Sequence, residues 1–295
     1  MSIQAHPHKK LAEYLHDTYP DRYKDANHKP EICLPLGEFE ALVAFRPFDE
    51  IRKNATGIKE LQRILGTKLQ LSLKDLYSRL MRTDPEILAK EVASMVHRLS
   101  RREEASLSHE EKLVLRLNQD YPGDVGIFSV FFLNYVRITP AMPNRFIFCA
   151  PDEPHAYLYG DCVECMSLSD NVVRAGLTPK FKDVETLLGM MTYRDDRLDS
   201  LVSTGTRVQN RVVKYDPPVD DFMVYELEGG GPIDPLELPH ATICICLAGC
   251  FSIELKVVEP QVEELHRGQS LFCRAGTTLT VLRSEKGSRL YAATY

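Results

Sequence analysis

Ala241-Thr-Ile-Cys-Ile-Cys-Leu-Ala-Gly-Cys-Phe-Ser-Ile-Glu-Leu-Lys-Val257 reads as two β-strands broken at Ala248-Gly249-Cys250. Alternate residues of a strand share a face, so Cys244 and Cys246 point the same way, as buried thiols serving as small hydrophobes. The neighbouring segments Asp221–Leu227, Ser270–Arg274 and Leu279–Leu282 repeat the texture, and Gly229-Gly230-Gly231-Pro232 and Arg274-Ala275-Gly276 punctuate them. Short strands at regular spacing with turn signals between them predict a β-sandwich or barrel from Tyr215 to the C-terminus.

Upstream the texture changes. Lys74–Met81, Glu86–Leu99 and Glu110–Leu117 carry apolar residues at i, i+3, i+4 and i+7, the signature of amphipathic helices. Ser108 stands three residues before Glu111, a capping-box spacing ahead of an apolar run. Tyr121-Pro-Gly-Asp124 ends the helices, and strands are expected again at Ile127–Leu133 and Arg145–Ala150, with a short helix at Val184–Met191. Residues 1–50, interrupted by Pro7, Pro20, Pro30, Pro35 and Pro47, read as strands at Ile32–Leu36 and Leu42–Phe45 and tight loops around one helix, Lys9–His16. The organisation is β (1–50), helical insertion (51–120), β (121–212) and a further β domain (213–295).

The 295 residues are 44% hydrophobic and 26% charged, the composition of a soluble globular chain without membrane spans. A net charge of −6 provides no broad positive field and argues against a nucleic-acid or anionic-membrane partner. The N-terminus lacks the apolar core of a signal peptide, so the eight cysteines read as thiols of the reducing cytoplasm. Cys162 and Cys165 make a lone CxxC with no second pair nearby, which favours two structural thiols over a zinc knuckle.

Gln4 and His6, one residue apart in an extended segment, share a face. With Glu31 and His155 they would supply an N/O donor set suited to zinc with a position open to substrate. By spacing alone, Gln-x-His more often marks a polar rim, and a histidine after Pro154 more often a loop. The segment from His155 to Lys180 shifts that balance. It gathers Glu164, Asp170, Asn171, Arg174 and Lys180, with turn residues that forbid a continuous helix and with Val163, Val172, Val173 and Leu177 interleaved. One side is then buried and the charged side faces a cavity.

Tyr23-Lys-Asp-Ala-Asn-His-Lys-Pro-Glu31 and the run His155–Lys180 resemble the two signatures of the type I mannose-6-phosphate isomerases, with Ser167 where that family usually has Ala. Tyr121–Gly126 and Tyr215–Phe222 match in order and spacing, so the resemblance covers nearly the whole chain. It implies a mainly β fold of two tandem cupin (jelly-roll-like) barrels with an α-helical insertion in the first, and one zinc ion per chain on Gln4, His6, Glu31 and His155. It further implies an active-site arginine at Arg174, proton transfer and ring opening near Lys29 and His28, and a pocket lined by Ser2, Tyr157, Glu164, Asp170 and Lys180. The implied activity interconverts mannose 6-phosphate and fructose 6-phosphate through a cis-enediol, in the cytoplasm, feeding GDP-mannose synthesis. Lys29 or, alternatively, Glu164 takes the carbon-bound proton, and Ser2 and Lys180 hold the phosphate. Family members carry a further segment ahead of the Ser2–His6 strand, so the first barrel is expected to be incomplete. Open strand edges would then favour oligomers or aggregates over the monomer expected of the full-length form. Two rival readings are a non-catalytic or impaired sugar-phosphate-binding cupin and a metal-dependent cupin oxygenase. Gln4 among the ligands argues against the oxygenase.

Overall fold

The computed structural model describes residues 2–66, 71–195 and 201–295. Its first part contains strands β1 (Ile3–Ala5), β2 (Glu31–Pro35), β3 (Phe39–Phe45), β4 (Leu133–Ile138), β5 (Arg145–Cys149), β6 (His155–Tyr159), β7 (Cys162–Met166), β8 (Val173–Gly176) and β9 (Val202–Thr204). Helix α1 (Lys9–Thr18) follows β1. Helices α2 (Phe48–Gly57), α3 (Lys59–Leu65), α4 (Leu73–Met81), α5 (Pro85–Leu99), α6 (His109–Asp120) and α7 (Gly126–Ser129) lie between β3 and β4, and α8 (Val184–Met190) follows β8. The second part is all strand: β10 (Thr206–Gln209), β11 (Val212–Tyr215), β12 (Met223–Glu228), β13 (Ile233–Leu238), β14 (Thr242–Ala248), β15 (Cys250–Lys256), β16 (Pro260–His266), β17 (Ser270–Cys273), β18 (Thr277–Ser284) and β19 (Arg289–Thr294).

These strands pair antiparallel into four sheets, in the orders β4-β3-β6-β1-β8, β7-β2-β5-β9, β10-β11-β12-β19-β14-β17 and β13-β18-β15-β16. The expected mainly β architecture with a helical insertion is present. Among the described residues the strands form two pairs of facing sheets, and no ladder closes either pair into a ring.

Period-2 alternation explains how the layers stack. On the first sheet, Ile3, Ala5, Leu42, Ala156, Val173 and Ala175 pack into the helices, in one core with Tyr77, Leu80, Val92, Met95 and Phe128. The opposite face of that sheet, with Phe39, Ala41 and Val43, meets Cys33, Ile147 and Cys149 of the second sheet. The second sheet in turn presents Ile32, Leu34 and Phe146 to Val213, Tyr215, Val224 and Tyr291 of the third. A fourth core, including Cys244, Cys246, Phe251 and Ile253, fills the space between the third and fourth sheets. The order is thus helices, sheet, interior, sheet, sheet, core, sheet. Cys162 joins the interior between the first two sheets and Cys165 the opposite face, so the CxxC pair cannot converge on one ion.

The helices obey their local signals. The Ser108 side chain accepts from Glu111 N and the Glu111 carboxylate accepts from Ser108 N, the reciprocal capping box expected there; Ser72 and Asp75 form a second at α4. Asp84 caps α5 with Pro85 at its first position, and the spacing of Leu88, Val92, Met95 and Leu99 gives that helix one buried face. One expectation is corrected. The run Ile127–Leu133, read as a strand, is helix α7 through Ser129, and strand begins only at Leu133. Phe128, Val130, Phe131 and Phe132 are all buried in the helical core, and a short run apolar on every side carries no periodicity to separate helix from strand.

Candidate metal centre

Three adjacent strands of the first sheet carry the centre of the site. In the β1–β6 and β1–β8 ladders Gln4 is the register partner of His155 on one side and of Arg174 on the other. Their neighbours Ile3, Ala5, Ala156, Val173 and Ala175 face the helices, so this row faces the interior. Adjacent strands lie about 4.8 Å apart, so Arg174 and His155 stand about 10 Å apart along it. Ser2 and His6 flank Gln4 on the same face of β1, and Tyr157 follows His155 on β6. Glu31 comes from the facing sheet, at the start of β2, where Ile32 and Leu34 take the opposite face.

His6, Glu31 and His155 are buried, and their donor atoms lie within 4.8 Å of one another. His6 Nε2 is 3.3 Å from Glu31 Oε1 and His155 Nε2 is 3.2 Å from Glu31 Oε2. The second nitrogen of each ring is committed elsewhere. His6 Nδ1 donates to the carbonyl of Asn171 at 2.6 Å, and His155 Nδ1 to the carbonyl of Glu153 at 3.2 Å. A carbonyl only accepts, so in the neutral rings both Nε2 atoms present lone pairs. Burial lowers the pKa of His6, which keeps that ring neutral. Two imidazole lone pairs and a carboxylate therefore face one another, and His155 Nε2 and Glu31 Oε2 have no hydrogen-bond partner. Buried polar atoms are ordinarily satisfied, and a cation among these three resolves the mutual repulsion. The carbonyl contacts at the two Nδ1 atoms are the ones that orient metal-binding histidines.

Gln4 lies beside the three donors. Its amide nitrogen lies 3.5 Å from His6 Nε2 while its oxygen accepts from Ser2 Oγ at 2.9 Å. A half-turn of the amide would face the oxygen inward, with the Ser2 hydroxyl accepting instead of donating.

The centre opens into a cavity of about 400 Å³ lined by Ser2, Gln4, Tyr121, His155, Tyr157, Arg174, Thr178, Pro179 and Lys180. Gln4, His155, Tyr157 and Arg174 lie on β1, β6 and β8, and Thr178–Lys180 follow β8. The Thr178–Lys180 rim is set by a close backbone crossing. A Cβ at Gly176 would fall 2.7 Å from Gly126 N, and Asp124 Oδ1 accepts from both Gly126 N (2.7 Å) and Leu177 N (2.6 Å). Sequence reasoning missed Tyr121, Thr178 and Asp124 as parts of the site. Only the proximity of the turn after α6 to the end of β8 reveals them.

The remaining expected residues divide. Lys29 is buried and donates to Glu31 Oε1 at 3.0 Å. Glu164 lies on β7; partial burial, then the negative charge of Glu31, raises its carboxyl above the usual range, against the opposing hydrogen bond from Tyr157. His28 is turned toward the second sandwich, where its Nε2 donates to Asp221 at 2.7 Å. Ser167, the departure from the family pattern, donates to the same Asp221 oxygen at 2.7 Å, so it adds a contact between the two sandwiches. Asp170 is exposed, and only its backbone N–H is engaged, by Asp25. Asn171 holds the Asp25–Asn27 loop in place through bonds to both residues.

The chain is similar to known proteins over most of its length. The catalytic-domain model of phosphomannose isomerase type I matches residues 1–48, and the helical-insertion model of the same family matches residues 51–133. The chain is 39% identical over 97% of its length to a probable mannose-6-phosphate isomerase of Dictyostelium discoideum, of which it spans 65%. It is 36% identical, again over 97% of its length, to the mannose-6-phosphate isomerase of Homo sapiens, of which it spans 72%. Among solved structures, a zinc-bound mannose 6-phosphate isomerase superposes with a TM-score of 0.82 at 26% identity, covering 100% of this chain and 75% of that one. The metal-free enzyme of Salmonella typhimurium gives the same TM-score and identity, with 76% of its chain covered.

Proposed function

The chain belongs to the type I phosphomannose isomerase family, and from that premise we propose that it interconverts mannose 6-phosphate and fructose 6-phosphate. The observation that carries this reading is the convergence of His6, Glu31 and His155, with His155 Nε2 and Glu31 Oε2 unpaired, beside a cavity lined by Arg174 and Lys180. His6, Glu31 and His155, with Gln4, would hold zinc, which would supply Lewis-acid polarisation of the sugar carbonyl. Lys180 and Ser2 bind the phosphate, and Arg174 stabilises the charge that develops as the proton leaves carbon, since a guanidinium keeps its charge throughout.

Of the two candidate bases we assign the proton between C2 and C1 to Glu164. Lys29 is committed as donor to Glu31, whereas the raised carboxyl of Glu164, beside Tyr157 of the cavity wall, suits a group that both accepts and returns a proton. Lys29 then orients the metal-binding carboxylate. The intermediate is a cis-enediol. The product serves mannose metabolism, including GDP-mannose synthesis, in the cytoplasm.

A coupled assay for fructose 6-phosphate tests the reading on zinc-loaded and chelator-stripped chain. Turnover that zinc restores, with deuterium from D₂O entering the sugar and Glu164→Gln slowing kcat by about 100-fold or more, is the expected result. Binding of mannose 6-phosphate without product above a boiled control would replace the isomerase by a sugar-phosphate-binding protein.

A further inference from the structure

The outermost sheet carries a group for which isomerase chemistry has no use. Strands β15 and β16 run antiparallel with Cys250 opposite His266 and Ser252 opposite Glu264. Phe251, Ile253 and Leu265 point into the core, so alternation turns Cys250, Glu264 and His266 to the other face. There a sulfur, a carboxylate oxygen and an imidazole nitrogen lie within 4.8 Å of one another. We propose that Cys250, Glu264 and His266 form a second cation site, selective for a thiolate-binding divalent ion of the zinc class.

The donor set fits that class. A thiolate, an imidazole and a carboxylate are zinc ligands, and three of them leave a fourth tetrahedral position for water. Hard ions such as magnesium or calcium take oxygen ligands and have no use for the sulfur. The donors are also held in place. Cys250 Sγ lies 3.6 Å from Glu264 Oε2, while Arg283 of β18 donates to Glu264 Oε1 at 2.7 Å, so one carboxylate oxygen is anchored and the other faces the sulfur. The backbone N–H of Cys250 donates to Ser288 Oγ at 3.1 Å, and that of His266 to Gln269 Oε1 at 2.8 Å. Both ends of the ligand row are thereby pinned to their turns.

Charge favours a cation as well. Glu264 and Glu285 both bear on the Cys250 thiol, opposed by Arg283. Binding releases the thiol proton to solvent and forms a sulfur–metal bond, with no change of oxidation state. β16 is the edge strand of its sheet. A cation shared by Cys250 of β15 with Glu264 and His266 of β16 therefore staples that edge to its neighbour, a means of restraining an open strand edge.

Cobalt(II) titration of the chain carrying a single equivalent of zinc tests the proposal, because only a thiolate ligand produces a sulfur-to-cobalt charge-transfer band in the near ultraviolet. The His6–Glu31–His155 group contains no sulfur and cannot give one. The band is expected to appear with one further equivalent of metal, to be lost in Cys250→Ser, and to shift to higher cobalt concentration in His266→Ala, with isomerase activity unchanged in both. Absence of the band at saturating cobalt, or its persistence in Cys250→Ser, overturns the site. Should Cys250→Ser fail to fold, the exposed His266→Ala decides alone, since a band unmoved by that change rules the cluster out.

Discussion

At the scale of single residues, the metal centre depends on which atom of each ligand is left free. His6 and His155 give their Nδ1 protons to backbone carbonyls, so each Nε2 is presented as a lone pair. Removing one imidazole leaves too few donors. Zinc affinity of His155→Ala, measured by competition with a chromophoric chelator, is expected to fall by at least about 100-fold, and an unchanged affinity and stoichiometry would remove His155 from the ligand set. Arg174 stands in the same row as Gln4 and His155, facing the cavity. Arg174→Lys keeps the charge and loses the planar fork, so kcat should fall more than KM rises. A rise in KM alone would make Arg174 a substrate-binding residue with no part in stabilising the transition state.

At the scale of elements, two contacts hold the helical block to the catalytic sheet and to itself. Gly176 ends β8 against Gly126 of α7, with no room for a methyl group: its Cβ would lie 2.7 Å from a backbone nitrogen and 2.8 Å from the Gly126 Cα. Gly176→Ala must therefore separate two backbones. It is expected to cost about 1–3 kcal/mol in urea unfolding and to raise KM by displacing the Thr178–Lys180 rim. A variant with unaltered stability and KM would show that the crossing is not tight. Between α3 and α5, buried Glu60 is paired with Arg98 at 2.9 Å. Burial works to raise the Glu60 carboxyl, but the hydrogen bond and charge of Arg98, with a backbone bond and the charge of Arg63, together outweigh it and hold it below its ordinary value of 4.5. A depressed carboxyl contributes stability that is present above its unfolded value and lost as the pH falls through the folded one. Arg98→Ala should cost about 2–3 kcal/mol at neutral pH, moderated by the partial exposure of Arg98. The gap to the unaltered chain should narrow on acidification below about pH 4.5, as Glu60 takes up a proton. Thermal melts of both chains across pH 3–7 check the sign, and a gap that widens in acid contradicts it.

At the scale of the whole molecule, the second sandwich acts as a wall for the first. Ile32 and Leu34 lie on the outer face of β2, the strand whose first residue is Glu31, and they are covered by Val213, Tyr215, Val224 and Tyr291. The same junction carries the buried carboxylate of Glu226, which accepts from Tyr215 at 2.6 Å and Tyr291 at 3.0 Å and is paired with Arg289. A chain ending at Asn210 would expose this apolar face and loosen β2. It should self-associate in light scattering and bind zinc more weakly than the full chain, whereas a monodisperse fragment with full zinc affinity would show that the second sandwich is dispensable for the centre.

Local signals were enough for much of this. The capping box at Ser108 and Glu111, the alternation that buries Cys244 and Cys246, and the one-residue spacing of Gln4 and His6 each depend on backbone periodicity alone, and each is legible in the linear text. Ile127–Leu133 was not, because a run buried on all sides has the same pattern as a helix or a strand. The family resemblance nominated the ligands, but the spacing of Gln4 and His6 alone left the site a polar rim. Strand order decided otherwise. Placing β1 between β6 and β8 sets Gln4 beside both His155 and Arg174, residues separated by about 150 and 170 positions in the chain, and the facing sheet brings Glu31 across to them. The same is true of Asp124 beneath the rim, of Asp221 against His28, and of Cys250 opposite His266. Side-chain periodicity is a property of neighbours along the chain, so sequence determined which face each residue takes. Which faces meet depends on long-range pairing and burial, and that only the tertiary structure decided.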